Sequence, residues 1–395
     1  MIKIPLSSPE HDYEELLSVI DGSKGPQRVH NIEVIVDEEI KKHIIENFFE
    51  IDYFPSVGID TGALRKSKTL ADNDDYRRAK QNYYRMYVKF HYGMGYTIIP
   101  DHDFIINLES FNTVSLNTKD TAAFSRGDRT WAQEGRGLIK NWRDFEEFDW
   151  DMLDILLEDY GRHLDFMRTI IPDGMKIAVV GAMFYQVYAW LLGSMGLFYL
   201  IKDDFELVRS VIDRMGALTL RMYEIAASRD CVGILLHGDD LGFKTSTMIS
   251  PQMLRKLVFP WYKRYSETAH KNGKRFWVHC CGFKEDIMED LITDMNMDAL
   301  HSFEDACCPV IEYKKKYGDR TGIIGGVDVD MLCRQDEEGL RKYIRKILDN
   351  CMAGGRFALG SGNSITNFVP VKNYLAMLDE ANRWGVKKQY TVTSG

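Results

Sequence analysis

From about residue 96 onward the chain repeats one rhythm: a short, almost wholly apolar run, then a few small or acidic residues, then a stretch of helical periodicity. The apolar runs fall at residues 96–104, 176–181, 232–238, 275–279, 298–303, 321–327 and 356–360, and an earlier one at 29–36 brings them to eight. Runs that are apolar throughout, rather than alternating, suit strands covered on both faces. Between the later runs lie amphipathic stretches at 251–272, 284–294, 309–317, 337–352 and 370–384. Pro251, Pro309 and Pro370 stand where proline fits a first helical turn. Strands alternating with helices at this spacing predict parallel β-α-β units. Eight such units close into a (β/α)8 TIM barrel.

This pattern predicts one domain over residues 1–395, with an N-terminal extension of about 1–28 and a loop insertion of about 127–150. The insertion carries Trp131, Trp142 and Trp150, and either covers the barrel mouth or packs on itself at the surface. The charged stretch 72–85 reads as an exposed helix. An open doubly wound sheet is the alternative architecture, but no GxGxxG follows an early strand, which disfavours a dinucleotide-binding version.

Charge narrows the function. The net charge of −9 argues against nucleic-acid binding, which needs a basic face. The clusters Arg77, Arg78, Lys80 and Lys314, Lys315, Lys316 read as solvated helix faces. No apolar stretch is long enough to span a bilayer, and residues 1–10 hold no apolar signal core, so a cytoplasmic location is expected. Seven cysteines, an odd number, predict reduced thiols rather than a disulfide framework.

Barrel enzymes place their chemistry at the carboxyl ends of the strands. Here those ends read His237-Gly238-Asp239-Asp240, His279-Cys280-Cys281-Gly282, His301-Ser302-Phe303-Glu304-Asp305, Gly325-Gly326-Val327-Asp328 and Gly360-Ser361-Gly362-Asn363-Ser364. One polar end is readily a helix cap; five in succession predict an active site. In His279-x-Cys281 the two side chains share a face, since strand residues alternate. They can therefore reach one zinc ion, with Glu304, Asp239 or His237 completing the set. The competing reading has His279 hydrogen-bonded in the mouth and Cys281 as a small filler. A Cys281 nucleophile paired with His237 or His301 is a further option. Cys307, Cys308, Cys231, Cys333 and Cys351 read as packing.

The segments HGDDLG, Pro251-x-x-x-Arg255-x-x-x-x-Pro260, HCCG, GGVD and LGSGNSI followed by VPVKNYLAML, taken together, resemble the uroporphyrinogen decarboxylase superfamily over roughly residues 21–384. The Arg-rich segment with which the decarboxylases grip substrate carboxylates has no counterpart near Ile51–Pro55. The chain is more similar to the corrinoid-dependent methyltransferases and O-demethylases of the superfamily. That resemblance implies methyl transfer from a small methylated substrate, an aromatic methyl ether or a methylated amine, to a corrinoid on a partner protein. It implies zinc bound by His279 and Cys281; the third-cysteine position holds Ser361, which leaves Glu304 or Asp239 as replacement ligand. His279, Glu304, Asp239 and His237 are then the expected catalytic groups. Asn363 and Ser361, with the aromatics Trp131, Phe104 and Phe184, are the expected substrate contacts. A homodimer is also implied. The competing functions are a decarboxylase and a non-catalytic barrel that binds a corrinoid or a partner.

Overall fold

The computed structural model describes residues 2–61, 64, 73–110, 115–133, 135 and 137–391. The sheet begins with β1 (Ile98–Asp101), and an antiparallel hairpin of β2 (Ser115–Lys119) and β3 (Asp128–Ala132) follows. Six more sheet strands then come in order: β4 (Lys176–Gly181), β5 (Val232–Gly238), β6 (Arg275–His279), β7 (Ala299–His301), β8 (Gly322–Ile324) and β9 (Phe357–Ala358). Apart from the hairpin, each pairs in parallel with the next, giving a seven-stranded sheet in the order β1-β4-β5-β6-β7-β8-β9. Helices occupy the crossovers, so the strands are covered from outside and read as apolar throughout.

The run at 29–36 supplies the eighth position without a regular ladder. The Ile32 amide donates to the Leu359 carbonyl at 2.8 Å and the Leu359 amide to the His30 carbonyl at 2.9 Å. Higher up, Ile365 donates to Ile35 and Asp37 to Ile365. Towards β1 the contact is a side chain, His102 Nε2 against the Val34 carbonyl at 2.9 Å. Inside this ring lie Ile32, Val34, Ile98, Ala178, Val180, Ile234, Leu236, Trp277, Ala299, Ile324 and Ala358. They share one parity along each strand, as a two-residue side-chain period requires. The N-terminal extension contributes helix α1 (Tyr13–Ile20), and its Tyr13, Leu16, Leu17 and Ile20 join the same cluster. A helix thereby stops the amino end of the barrel. Gly233 makes room for it, since a Cβ there would fall 2.4 Å from the Tyr13 hydroxyl oxygen.

Three expectations change. The helix expected over 72–85 runs from Asp74 to Met94 and is not simply exposed: Tyr83, Tyr84, Tyr87 and Phe90 are buried. So is Lys80, which pairs with Asp103 at 2.8 Å and Asp159 at 3.0 Å. Charges dominate its first two turns and aromatics the rest. The excursion expected at 127–150 starts earlier, with β2, and ends in a short helix, Trp142–Glu147. The hairpin is moored by Arg129, which donates to Asn367 at 2.6 Å in the segment after β9. The helix expected over 284–294 tightens to a 3-10 turn at Glu285–Ile287 and widens to a π turn at Asp290–Asp294.

The plug has a direct test. Leu16 is fully buried, and Leu16→Ala is expected to cost about 2–5 kcal/mol from lost contacts plus a cavity. Urea unfolding of the two proteins measures the difference.

Candidate active site

Parity along β5 and β6 sorts the residues at the strand ends. Ile234 and Leu236 point into the barrel, so His237 points out. It sits among tyrosines of the outer helices, its Nδ1 at 3.0 Å from the Tyr223 hydroxyl and its ring 4.5 Å from that of Tyr262. Asp239 lies on the same buried side. Its carboxylate accepts the amides of Met183, Phe184 and Tyr185 at 3.1, 3.0 and 2.7 Å, the Tyr262 hydroxyl at 2.7 Å and His237 Nε2 at 2.9 Å. Burial pushes this carboxyl up, but His237 and the ring of donors outweigh burial and hold it below the ordinary carboxylate value. With five donors its acceptor sites are taken. Asp239 thus binds the turn after β4 to the end of β5 rather than offering a free ligand atom.

The next residue faces the other way. Asp240, His279 and Cys281 bring one oxygen, one nitrogen and one sulfur within 4.8 Å of one another. His279 shares its parity with Trp277, inside the barrel, and its Nε2 lies 3.2 Å from Cys281 Sγ. The third member of the set is therefore Asp240, where Glu304 or Asp239 was expected. Glu304 is exposed at the rim, its Oε2 beside Cys307 Sγ at 3.8 Å. Burial drives His279 down to about 4, against the pull of Asp240. Burial, reinforced by Asp240, pushes the Cys281 thiol well above its ordinary value. Asn363 Nδ2 donates to Cys281 Sγ at 3.1 Å, and the Tyr188 hydroxyl reaches Asp240 at 3.4 Å. Carboxylate, imidazole and thiol at this separation fit a zinc ion with three protein ligands and one open position.

The ring of His279 has a definite neighbour: its Nδ1 lies 2.7 Å from His301 Nδ1. His301 Nε2 in turn faces the Ser361 carbonyl at 3.3 Å. Lys284 is fully buried close by, donating to the Ser302 carbonyl at 3.1 Å and to Cys308 Sγ at 3.3 Å. Cys308 is buried and Cys307 half-buried behind the rim.

Cys281 also lines a cavity of about 620 Å3, whose wall includes Glu304, Asp305, Asp328, Asp330 and Asn363. Among its lining residues there is no lysine or arginine. Of the expected substrate contacts, Asn363 lines this cavity. Ser361 does not: it is fully buried, its Oγ on Glu33 at 2.7 Å. Phe104 packs in the core against Tyr160 and Phe184 is buried against Tyr188. Trp131 is exposed on the hairpin with Arg129 over its ring. Sequence reasoning missed Asp240, Lys284 and Glu33. Asp240 alone had a readable signal, since parity carries His237 and Asp239 to the outer side together.

The family model for uroporphyrinogen decarboxylase (URO-D) matches residues 185–384, the half of the chain that holds the trio. No curated protein sequence matches the chain closely enough to count as a relative. Among solved structures, a methyltransferase from Methanosarcina mazei superposes with a TM-score of 0.58 at 12% identity, covering 94% of this chain and 98% of its own. A B12-independent methionine synthase from Shewanella sp. W3-18-1 gives 0.49 at 11% identity, covering 81% of this chain and 91% of its own. The first of these similarities shows a shared fold.

Asp239 and Asp240 should part company in experiment. Asp239→Asn is expected to destabilise the fold by about 3 kcal/mol or more, because buried donors lose an anionic acceptor. Asp240→Asn should change stability by less than about 1 kcal/mol. The Asp239 carboxyl is held below its unfolded value of about 3.9, so its contribution is complete above that pH and fades as pH falls through the lower folded value. The gap between wild type and Asp239→Asn should hold from pH 7 to about 5 and narrow only below about 4, measured by urea unfolding across pH.

Proposed function

We propose, from the premise that this chain belongs to the uroporphyrinogen decarboxylase (URO-D) family, that it is a methyltransferase rather than a decarboxylase of tetrapyrroles. The observation that carries the reading is the Asp240–His279–Cys281 trio, which reaches an acid-walled cavity through Cys281. A tetrapyrrole bearing many carboxylates needs arginines and lysines converging on it. This wall instead offers Glu304, Asp305, Asp328 and Asp330, which would repel such a substrate. The resemblance of the sequence to corrinoid-dependent members and the fold shared with the Methanosarcina mazei methyltransferase support methyl transfer. The acceptor is then a corrinoid carried by a partner protein docking at the barrel mouth.

Asp240, His279 and Cys281 would hold a zinc ion. When bound it would supply a Lewis acid for the heteroatom that gives up its methyl group, an ammonium donor first losing its N–H proton so that the nitrogen has a lone pair to offer. The bond from carbon to that heteroatom breaks and its electron pair stays on the heteroatom. Asn363, donating to Cys281 Sγ at 3.1 Å, would favour the thiolate over the thiol. Closing the partner over the cavity would exclude water and hold methyl donor and acceptor in line.

The cavity also chooses between the two donor classes. Glu304 and Asp305 leave its wall net negative even though Asp330 pairs with Arg334 at 2.6 Å. That favours a methylated amine, cationic at neutral pH, over an aromatic methyl ether bearing a carboxylate.

Metal analysis of the purified protein is expected to find about one zinc per chain, lost in Asp240→Ala, His279→Ala and Cys281→Ala. Incubation with cobalt(I) corrinoid and matched donors, followed by methylcobalamin absorbance, should show at least tenfold higher kcat/KM for di- and trimethylamine than for methoxybenzoates. Equal or better rates with methoxybenzoates would remove the amine assignment. No methyl transfer from any donor, with no metal bound, would remove the function, as would unchanged transfer in His279→Ala.

A further inference from the structure

We infer that His301 and Glu33 are positioning residues that preset the tautomer of His279, so that its Nε2 is the bare nitrogen facing Cys281. The inference rests on reading Asp240, His279 and Cys281 as a metal site, and it assigns a task to two buried groups that touch neither cavity nor metal.

Glu33, Ser361, His301 and His279 form a relay. Glu33 is buried, 2% exposed, and accepts both the amide and the hydroxyl of Ser361 at 2.7 Å. These two bonds fix the Ser361 backbone, and its carbonyl lies 3.3 Å from His301 Nε2. A carbonyl oxygen accepts and never donates, so His301 Nε2 carries a proton. His301 is buried, 2% exposed, and among the described residues its ring nitrogens meet the His279 nitrogen and the Ser361 carbonyl with no carboxylate against them to pair a charge, so the ring is neutral. A neutral imidazole protonated on Nε2 has a bare Nδ1. The two Nδ1 atoms lie 2.7 Å apart, and the proton between them must therefore belong to His279. That leaves His279 Nε2 with its lone pair free, 3.2 Å from Cys281 Sγ. Ligating histidines are generally oriented by such a partner on the other ring nitrogen; here the partner is a second histidine, anchored through Ser361 to Glu33.

The first glycine of GGVD bears on the same chain. Gly325 has φ +93°, and a Cβ there would fall 2.5 Å from the Ser361 carbonyl oxygen and 2.8 Å from His301 Cδ2. Any side chain at this position would wedge apart the His301–Ser361 contact, besides straining the backbone.

The test is 15N NMR of histidine-labelled, metal-free protein together with zinc affinity by competition with a chromophoric chelator. The set is wild type, His301→Gln, His301→Leu and Glu33→Ala. In wild type, His279 should show a protonated Nδ1 and a bare Nε2. His301→Gln, which can accept from His279 and donate to Ser361, should keep that pattern and bind zinc within about threefold of wild type. His301→Leu and Glu33→Ala should populate the Nε2-protonated form and lose about 10–100-fold in zinc affinity. A folded His301→Leu with wild-type affinity and an unchanged His279 tautomer would overturn the inference. So would a wild-type His279 protonated on Nε2. If wild type binds no zinc, the metal reading fails by itself, and the tautomer in wild type against His301→Leu still decides whether the relay exists.

Discussion

A curled sheet of seven strands leaves two edges, and everything at the site depends on how the chain closes that gap. The segment 30–37 fills it, bonded by its backbone to Leu359 just after β9 and to Ile365 beyond it. An open edge would expose unpaired amides and carbonyls and leave the barrel interior wet. Closure also sets Glu33 against Ser361, 328 positions away in sequence, and so fixes the backbone against which His301 rests. The plug of α1 completes the enclosure from below. The C-terminal mouth is the end left open, and the polar strand ends converge there.

Adjacent residues at the end of β5 meet opposite fates under that constraint. Asp239 is drawn outward into a ring of five donors and becomes part of the frame. Asp240 turns toward the mouth, beside His279 and Cys281. Burial favours the neutral imidazole and the protonated thiol at this trio. A divalent cation reverses the preference at the thiol, because its charge repays the desolvation of a thiolate. The same low dielectric that makes the trio costly when charged makes it a strong claim on a cation.

The cavity wall extends that electrostatic theme. Asp328 spends its carboxylate on the Asp305, Asp330 and Met331 amides, which caps the following helix and holds the rim in shape. Glu304 and Asp305 stay exposed. On the proposed reading their charge would sort an entering ligand by sign. Family membership therefore leaves the substrate open: one barrel accepts a polyanion or a cation according to which side chains line its mouth.

The alternation of apolar runs and helical stretches was enough, read from the chain by itself, to define the barrel. β4, β5 and β6 occupy the runs read at 176–181, 232–238 and 275–279, because buried parallel strands must be apolar and helices must punctuate them. His279 and Cys281 were legible as a pair for a similar local reason, two residues on one face of a strand. Asn363 was legible as a neighbour of the site from its place at the last strand end. What lay beyond sequence was every choice that depends on partners from distant segments. Whether Asp239 or Asp240 faces the mouth is decided by the amides of the turn after β4. Whether Ser361 offers its hydroxyl to a ligand is decided by Glu33, on the closing segment. The burial of Phe104 and Phe184 is decided by helices packed from outside. A linear chain states what each strand end can do; only the closed barrel determines which atoms are already bound to one another and which are left to act.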